Sequence, residues 1–187
     1  MLDLIIKNGQ CYIDGELKDV AVSVKDGKIQ NIGKITEEAK DTIDAKGLTV
    51  LPGCIDTQTH FREPGSTDTE DLHSGSRAAI AGGITAVFEM PNTNPPTSNK
   101  KEFQRKLDLA KNRMYCNYAF YFGATADNVS QLAELKNLEG CCGIKLFAGS
   151  STGNLLVADE KDIDKVFQNS SKVVAVHSED EALLEVN

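Results

Sequence analysis

The chain has 187 residues, 40% of them hydrophobic and 26% charged, a composition typical of a soluble globular protein with room for one substantial domain or one and a half small ones. A formal net charge of −8 without a basic cluster argues against nucleic-acid binding, and no apolar run reaches the roughly 18 residues that span a membrane. The five cysteines form no Cys-x-x-Cys pair and the first residues do not resemble a signal peptide, so we expect free thiols in the cytoplasm.

Residues 1 to about 50 are predicted to form a small β-unit. Short β-rich runs alternate with Asn-Gly or Asp-Gly pairs, which are the strongest local signal for hairpins. The runs cover residues 4–6, 11–13, 20–24 and 28–32, and the turn pairs lie at 8–9, 14–15 and 26–27. This spacing favours a β-meander without chemistry of its own.

A short buried strand follows, bounded by Pro52-Gly53 and by Pro64-Gly65. Because side chains alternate along a strand, Asp56, Gln58 and His60 share one face. A core strand keeps such a polar face only when its groups are satisfied, and a metal ion or a substrate is one way to satisfy them.

The rest of the chain repeats the pattern of strand, loop and helix. A capping-box pattern at 67–70 predicts a helix that runs from there to about Ala81, and Asp127 or Asn128 is predicted to cap a helix through Leu138. Further helices are predicted at 100–112, at 159–169 and after 178–181, and strands at 85–90, 115–122, 143–147 and 172–177. The loop 149–153 is interpreted as a connector, with anion binding on its backbone N–H groups as the alternative.

Strands that alternate with helices predict an α/β fold with parallel pairing and right-handed crossovers. Five such units without a Gly-x-Gly-x-x-Gly loop favour a (β/α)₈ barrel over a Rossmann sheet. A barrel of this type needs about 250 residues, so we expect the chain to be the N-terminal part of a larger protein. The alternative is a five-stranded open α/β sheet.

Polar side chains lie at or near the ends of several predicted strands. In a parallel barrel these strand ends share one rim, where active sites are built from several strands. Taken singly, each residue also has a structural interpretation, such as a hydrogen-bonded histidine, a salt bridge or a turn, although a lysine within a buried strand is rare unless paired or functional. The residues are Gln58, His60, Arg62, Asn92, Lys145 and His177.

Four segments resemble dihydroorotase, a member of the cyclic amidohydrolase superfamily. Residues 51–65, with His60-Phe61-Arg62-Glu63-Pro64-Gly65 at the end, resemble the first-strand signature of that family. Residues 81–93, which contain Met-Pro-Asn-Thr, are similar to its second-strand signature. The segments 143–147 and 177–179 are similar to those that carry a carboxylated lysine and a metal-binding histidine, and residues 1–50 look like the N-terminal part of its β-sandwich.

The resemblance implies zinc-dependent, reversible closure of N-carbamoyl-L-aspartate to L-dihydroorotate in pyrimidine biosynthesis. It implies that His60 and His177 are zinc ligands, and that Lys145, as its carbamate, bridges two metal ions. It also implies that Arg62 and Asn92 hold the substrate carboxylate, a task that suits the planar fork of arginine. Under this interpretation residues 51–187 are the first half of an amidohydrolase barrel.

The sequence departs from the family pattern in two ways. Gln58 stands where the family carries the first histidine of a His-x-His pair, and an amide oxygen is a weaker zinc ligand than imidazole. The family's later metal histidine and its catalytic aspartate have no counterpart before Asn187, so we expect no catalytic residue within this chain and place the aspartate beyond it.

Two rival functions stay open. One is another cyclic amidase, of the dihydropyrimidinase or allantoinase type, whose ring substrate has no carboxylate for Arg62. The other is a non-catalytic dihydroorotase-like scaffold that supports aspartate carbamoyltransferase, which Gln58 permits. The expected partners are therefore a small-molecule substrate, a second copy of the chain in a homodimer, and aspartate carbamoyltransferase for the scaffold.

Overall fold

A computed structural model describes residues 1–151 and 154–186 of the chain, without the side chain of Glu185. The chain divides into two compact units, Met1–Pro52 and Gly53–Asn187. Two residues of the predicted 149–153 connector, Thr152 and Gly153, lie outside the described residues. No helix in the described part of the chain is long and apolar enough to cross a membrane.

The first unit consists of two small sheets. The four-stranded sheet has the order β5-β4-β1-β6 and contains β1 (Leu2–Lys7), β4 (Ala21–Lys25), β5 (Lys28–Gly33) and β6 (Ala39–Asp44). The three-stranded sheet has the order β3-β2-β7 and contains β2 (Gln10–Ile13), β3 (Glu16–Asp19) and β7 (Thr49–Val50). The Asp-Gly pairs at 14–15 and 26–27 form the turns of two antiparallel hairpins, β2–β3 and β4–β5.

The Asn8-Gly9 pair does not form a hairpin, because β1 and β2 belong to different sheets. The Asn8 side chain donates to Asp44 Oδ1 at 2.9 Å, and Gly9 lies so close to Ala45 that an added Cβ would meet the Ala45 Cβ at 2.8 Å. These contacts hold the turn against the end of β6, which pairs in parallel with β1. The unit is therefore not a simple meander.

The second unit contains one parallel sheet of five strands in the order β12-β11-β10-β9-β8, with helices between consecutive strands. Its strands are β8 (Cys54–Thr59), β9 (Ile84–Glu89), β10 (Asn117–Gly123), β11 (Cys141–Phe147) and β12 (Val174–His177). Its helices are α1 (Leu72–Ala81), α2 (Lys100–Ala110), a 3₁₀ helix (Val129–Asn137), α3 (Glu160–Asn169) and α4 (Glu181–Val186). The strand order follows the chain without a reversal, as in the first five units of a (β/α)₈ barrel and unlike a doubly wound sheet.

The core of this unit lies between the sheet and the helices. Alternation places Phe120 and Phe122 of β10, and Ile144 and Leu146 of β11, on the helix-facing side, and all four are fully buried. Lys145 therefore lies on the opposite face of β11, which in a barrel is the interior. The helices add Phe103, Leu132, Leu135 and Val166 to the core.

Two helix predictions need correction. α1 begins at Leu72 rather than at 67–70, because the Asp71 carboxylate accepts from Ser74 N at 2.6 Å and Ser74 completes the capping box. The segment before Leu138 is a 3₁₀ helix that Asn128 does not cap with its side chain. The Asn128 amide instead donates to the carbonyl oxygens of Ser98 and Gly123, both at 2.8 Å, and so ties together the loops beyond β9 and β10.

Candidate active site

His60 and Asn92, which follow adjacent strands, contact each other directly. His60 Nδ1 lies 2.9 Å from Asn92 Oδ1. Because an amide oxygen can only accept, Nδ1 donates the hydrogen and Nε2 keeps its lone pair. Burial lowers the pKa of His60, the hydrogen bond to Asn92 opposes this effect, and the positive charge of Arg62 lowers the pKa further. The surroundings thus favour a neutral imidazole with one free ring nitrogen.

Lys145 is almost completely buried in the middle of the sheet, at 3% exposure. Its register partners are the small residues Gly123 of β10 and Ala175 of β12. The Lys145 Nζ lies 5.0 Å from the centroid of the Phe147 ring, and within the described residues no carboxylate comes within 4.0 Å of it. Burial lowers the pKa of Lys145, which favours the neutral amine.

His177 ends β12 and stacks on the same aromatic ring. The ring centroids of His177 and Phe147 are 6.0 Å apart with an interplanar angle of 28°. His177 Nε2 lies 2.7 Å from Glu179 Oε2, and since a carboxylate accepts, Nε2 carries the hydrogen. Nδ1 is then the free ring nitrogen of His177. Phe147, which contacts both Lys145 and His177, holds these two side chains on one side of the sheet.

The side chains of Arg62 and Gln58 have no ion-pair or hydrogen-bond partner among the described residues. Arg62 adopts the left-handed backbone region with φ of 60°, an uncommon conformation for a residue other than glycine. In the part of the chain that the structure describes, no carboxylate lies within 4.0 Å of its guanidinium group. Gln58 is exposed, and its side-chain amide makes no hydrogen bond to any described residue.

The structure thus brings His60 into contact with Asn92 and links Lys145 to His177 through Phe147. The side-chain amide of Gln58 makes no hydrogen bond to any of these residues. Among the described residues, no group of three or more His, Cys, Asp and Glu side chains lies close enough to hold a metal ion. A metal site at this rim would therefore need a further ligand, either a side chain of another type or a residue outside the described part of the chain.

Sequence reasoning missed two ion pairs, of which the first is fully buried and the second is partly exposed at its arginine. Glu89 pairs with Lys106, and Glu63 accepts from Arg113 at 2.8 Å and from Leu72 N at 2.9 Å. One signal was available in the sequence, since Lys106 follows Phe103 and precedes Ala110 at the spacing of one buried helix face. A lysine on such a face requires a buried partner.

Residues 49–177, most of the chain, match the sequence model of the amidohydrolase family. The chain belongs to the amidohydrolase family. This membership confirms the superfamily that the sequence resembles and the barrel type of the fold.

Curated amidohydrolase relatives match almost the whole chain. A dihydroorotase of Methanosarcina mazei is 37% identical over 188 residues, covering 98% of this chain and 41% of that protein. An allantoinase of Escherichia coli O1:K1 is 38% identical over 186 residues, covering 95% of this chain and 41% of that protein. The chain therefore spans 41% of the length of these two relatives.

Solved structures of amidohydrolases have the same fold. L-hydantoinase (dihydropyrimidinase) from Arthrobacter aurescens matches with a TM-score of 0.91 and 29% identity, covering 100% of this chain and 43% of that one. A D-hydantoinase matches with a TM-score of 0.82 and 30% identity. The relatives thus include enzymes named for different cyclic substrates, and identity alone does not choose among them.

Proposed function

We propose that the protein to which this chain belongs is a dihydroorotase, which hydrolyses L-dihydroorotate to N-carbamoyl-L-aspartate and catalyses the reverse ring closure. The observation that carries the proposal is the Arg62 guanidinium group, which stands at the rim beside His60 without a carboxylate partner among the described residues. Dihydroorotate has a carboxylate that would complete this pair. The rings of allantoin and dihydrouracil have none.

Asn92 supports the same substrate. Its Oδ1 is occupied by His60 Nδ1, so its Nδ2 group is left to donate. The amide N–H pair of Asn92 and the guanidinium group of Arg62 both provide hydrogen-bond donors, which are what a carboxylate requires. We infer that Arg62 and Asn92 together hold the substrate carboxylate and orient the ring toward His60.

His60, His177 and Lys145 together are suitable ligands for a metal ion, with Lys145 as the ligand that is neither histidine, cysteine nor carboxylate. His60 Nε2 and His177 Nδ1 both have free lone pairs. The other ring nitrogen of each histidine donates a hydrogen bond to an oxygen, as in metal-binding histidines generally. We infer that Lys145 binds as its carbamate, since an ammonium group has no lone pair and burial favours the amine that reacts with carbon dioxide. Zinc, when bound there, would activate water and polarise the ring carbonyl.

Turnover of the complete protein on competing substrates tests the proposal. We expect hydrolysis of L-dihydroorotate, and no comparable rate with dihydrouracil or allantoin. Arg62→Met should lower kcat/KM for dihydroorotate by about 10- to 100-fold, because a charge-assisted hydrogen bond contributes about 1.5–3 kcal/mol. Arg77→Met, which removes an exposed arginine from α1, is the matched control and should leave kcat/KM unchanged.

Allantoinase is the second candidate, because the Escherichia coli enzyme is as similar to the chain as the archaeal dihydroorotase. Faster turnover of allantoin than of dihydroorotate, together with an Arg62→Met variant of unchanged activity, would replace the first proposal by this one. Zinc content separates both enzymes from a non-catalytic scaffold, for which about zero bound metal is expected.

A further inference from the structure

Two buried charged residues lie behind the candidate site, on the helix-facing side of the sheet. Glu89 ends β9 and is 1% exposed, and Lys106 of α2 is fully buried. Their side chains form an ion pair. The Lys106 ammonium group also lies 5.1 Å from the centroid of the Phe120 ring.

Each member of this pair also holds a backbone group at the end of a strand. Glu89 Oε1 accepts from Phe61 N at 3.2 Å, and Phe61 is the residue directly after His60. Lys106 Nζ donates to Met90 O at 2.8 Å, two residues before Asn92. The pair is thus a bridge from the backbone beside His60 to the backbone near Asn92.

Stability alone does not account for such a pair. The cost of taking two charges out of water is about as large as their attraction in the interior, and apolar residues of similar volume often do as well or better. Apolar residues would not provide the two directional hydrogen bonds to Phe61 and Met90. The feature that distinguishes this pair is therefore the geometry that it imposes on the two strand ends.

We propose that Glu89 and Lys106 are positioning residues that fix the separation of His60 and Asn92, a role that rests on the function proposed above for these two residues. His60 and Asn92 come from different strands, and their contact at 2.9 Å depends on how the ends of β8 and β9 are held. The ion pair holds both ends from the helix side. It leaves the barrel-interior side of the sheet to the substrate.

Three variants of the complete protein test this role. Glu89→Gln keeps an acceptor for Phe61 N but leaves Lys106 without its partner charge, and Lys106→Met keeps the apolar stem but leaves Glu89 unpaired. The double variant removes both charges and retains the bond to Phe61, yet it cannot donate to Met90 O. The matched control is Lys100→Met with Glu134→Gln, which removes an exposed ion pair between α2 and the 3₁₀ helix.

We expect the single variants to melt at lower temperature, since each leaves an unpaired buried charge. The double variant should melt at a higher temperature than either single variant, because no buried charge is left unpaired, while kcat/KM for dihydroorotate stays about 10- to 100-fold below that of the wild type, the loss expected for a displacement of about 1 Å at a catalytic site. The control variant, Lys100→Met with Glu134→Gln, should have the melting temperature and the kcat/KM of the wild type. A double variant with wild-type stability and wild-type kcat/KM would show that the pair has only a structural role, and would overturn the proposal.

A readout that does not depend on turnover separates this proposal from the assigned function. In a crystal structure of the double variant, we expect His60 Nδ1 and Asn92 Oδ1 to lie beyond hydrogen-bond distance. If the wild type hydrolyses no dihydroorotate but this distance increases as expected, the positioning role stands and the dihydroorotase assignment fails. An unchanged distance would overturn the positioning role whatever substrate the enzyme takes.

Discussion

Lys145 is a lysine in the middle of a buried strand, with small register partners on both sides and an aromatic ring as its nearest charge-stabilising contact. Such an environment disfavours the charged ammonium group. A carbamate would turn the same side chain into an anionic oxygen ligand. The proposed role of Lys145 therefore follows from its burial together with the free ring nitrogens of His60 and His177.

Lys145→Ala should lose zinc and nearly all turnover, because it removes the proposed carbamate ligand. Short carboxylates such as acetate or propionate should restore part of the activity, since they can occupy the space of the carbamate. Turnover as a function of carboxylate concentration measures this rescue. Lys136→Ala, at an exposed position of the 3₁₀ helix, is the control, and normal turnover by Lys145→Ala would remove the carbamate from the mechanism.

Gly75 shows how closely α1 packs against the residue next to His60. A Cβ added at Gly75 would lie 2.4 Å from Cδ1 of the buried Phe61 ring. Helix propensity favours alanine over glycine by about 1 kcal/mol, but overpacking a core typically costs 1–3 kcal/mol. In Gly75→Ala, the cost of overpacking should therefore cancel or outweigh the stabilisation that comes from the higher helix propensity of alanine.

We expect Gly75→Ala to lower both the free energy of unfolding and the activity, as Phe61 is displaced and His60 with it. Gly82→Ala is the matched control, because its added Cβ would meet its nearest neighbour at 3.5 Å and its φ of −87° is open to alanine. Urea denaturation and steady-state kinetics of the two variants make the comparison. If Gly75→Ala and Gly82→Ala had the same free energy of unfolding and the same activity, displacement of Phe61 would have no effect on stability or on the site.

At the scale of elements, the start of α1 is set by one side chain. Asp71 accepts from Ser74 N at 2.6 Å, while the predicted capping segment 67–70 precedes the helix. Hydrogen bonds from the Ser74 backbone and hydroxyl hold the pKa of Asp71 below its usual range. The ionised form is therefore the one that stabilises the helix.

Asp71→Ala should reduce the free energy of unfolding by about 1 kcal/mol at pH 7. Because the folded pKa is depressed, this contribution is fully present above the unfolded pKa of about 3.9 and is lost as the pH falls through the folded value. Urea titrations at pH 7 and pH 3 should thus show a smaller difference between wild type and variant at pH 3. Asp68→Ala, within the segment that the sequence favoured as the cap, should have no comparable effect at either pH.

At the scale of the whole molecule, the proposed metal ligands join strands that are distant in the sheet. His60 follows β8 at one edge, Lys145 lies in β11, and His177 ends β12 at the other edge. A metal ion held by all three would cross-link the sheet from edge to edge. A ligand that binds only the folded state also stabilises it by mass action.

Removal of zinc with a chelator should therefore lower the melting temperature as well as turnover, and added zinc should restore both. His60→Ala should abolish stoichiometric zinc binding, measured by elemental analysis of the purified protein. His73→Ala is the control, because His73 lies on α1 and contacts Tyr115 rather than the rim. Unchanged zinc content in His60→Ala would exclude His60 as a ligand.

Much of the fold was predictable because it depends on local patterns. The turn pairs at 14–15 and 26–27, the strand before His60 and the sequence of βα units each require only neighbouring residues. The predicted burial of that strand is wrong, since residues 54–58 are exposed. The Asn8-Gly9 pair has the same local pattern as the other two. It differs in outcome because Asp44 and Ala45, far along the chain, hold it in place.

The amino-acid sequence by itself determined the order of the parallel strands and the set of polar residues at their ends, since side-chain period and right-handed crossovers leave few other arrangements. Only the tertiary structure decided which ring nitrogens of His60 and His177 are free, and that Glu89 and Lys106 bridge two strand ends. Those features depend on hydrogen-bond partners from separate elements. Such partners meet only after packing has fixed the distances between the strands and the helices.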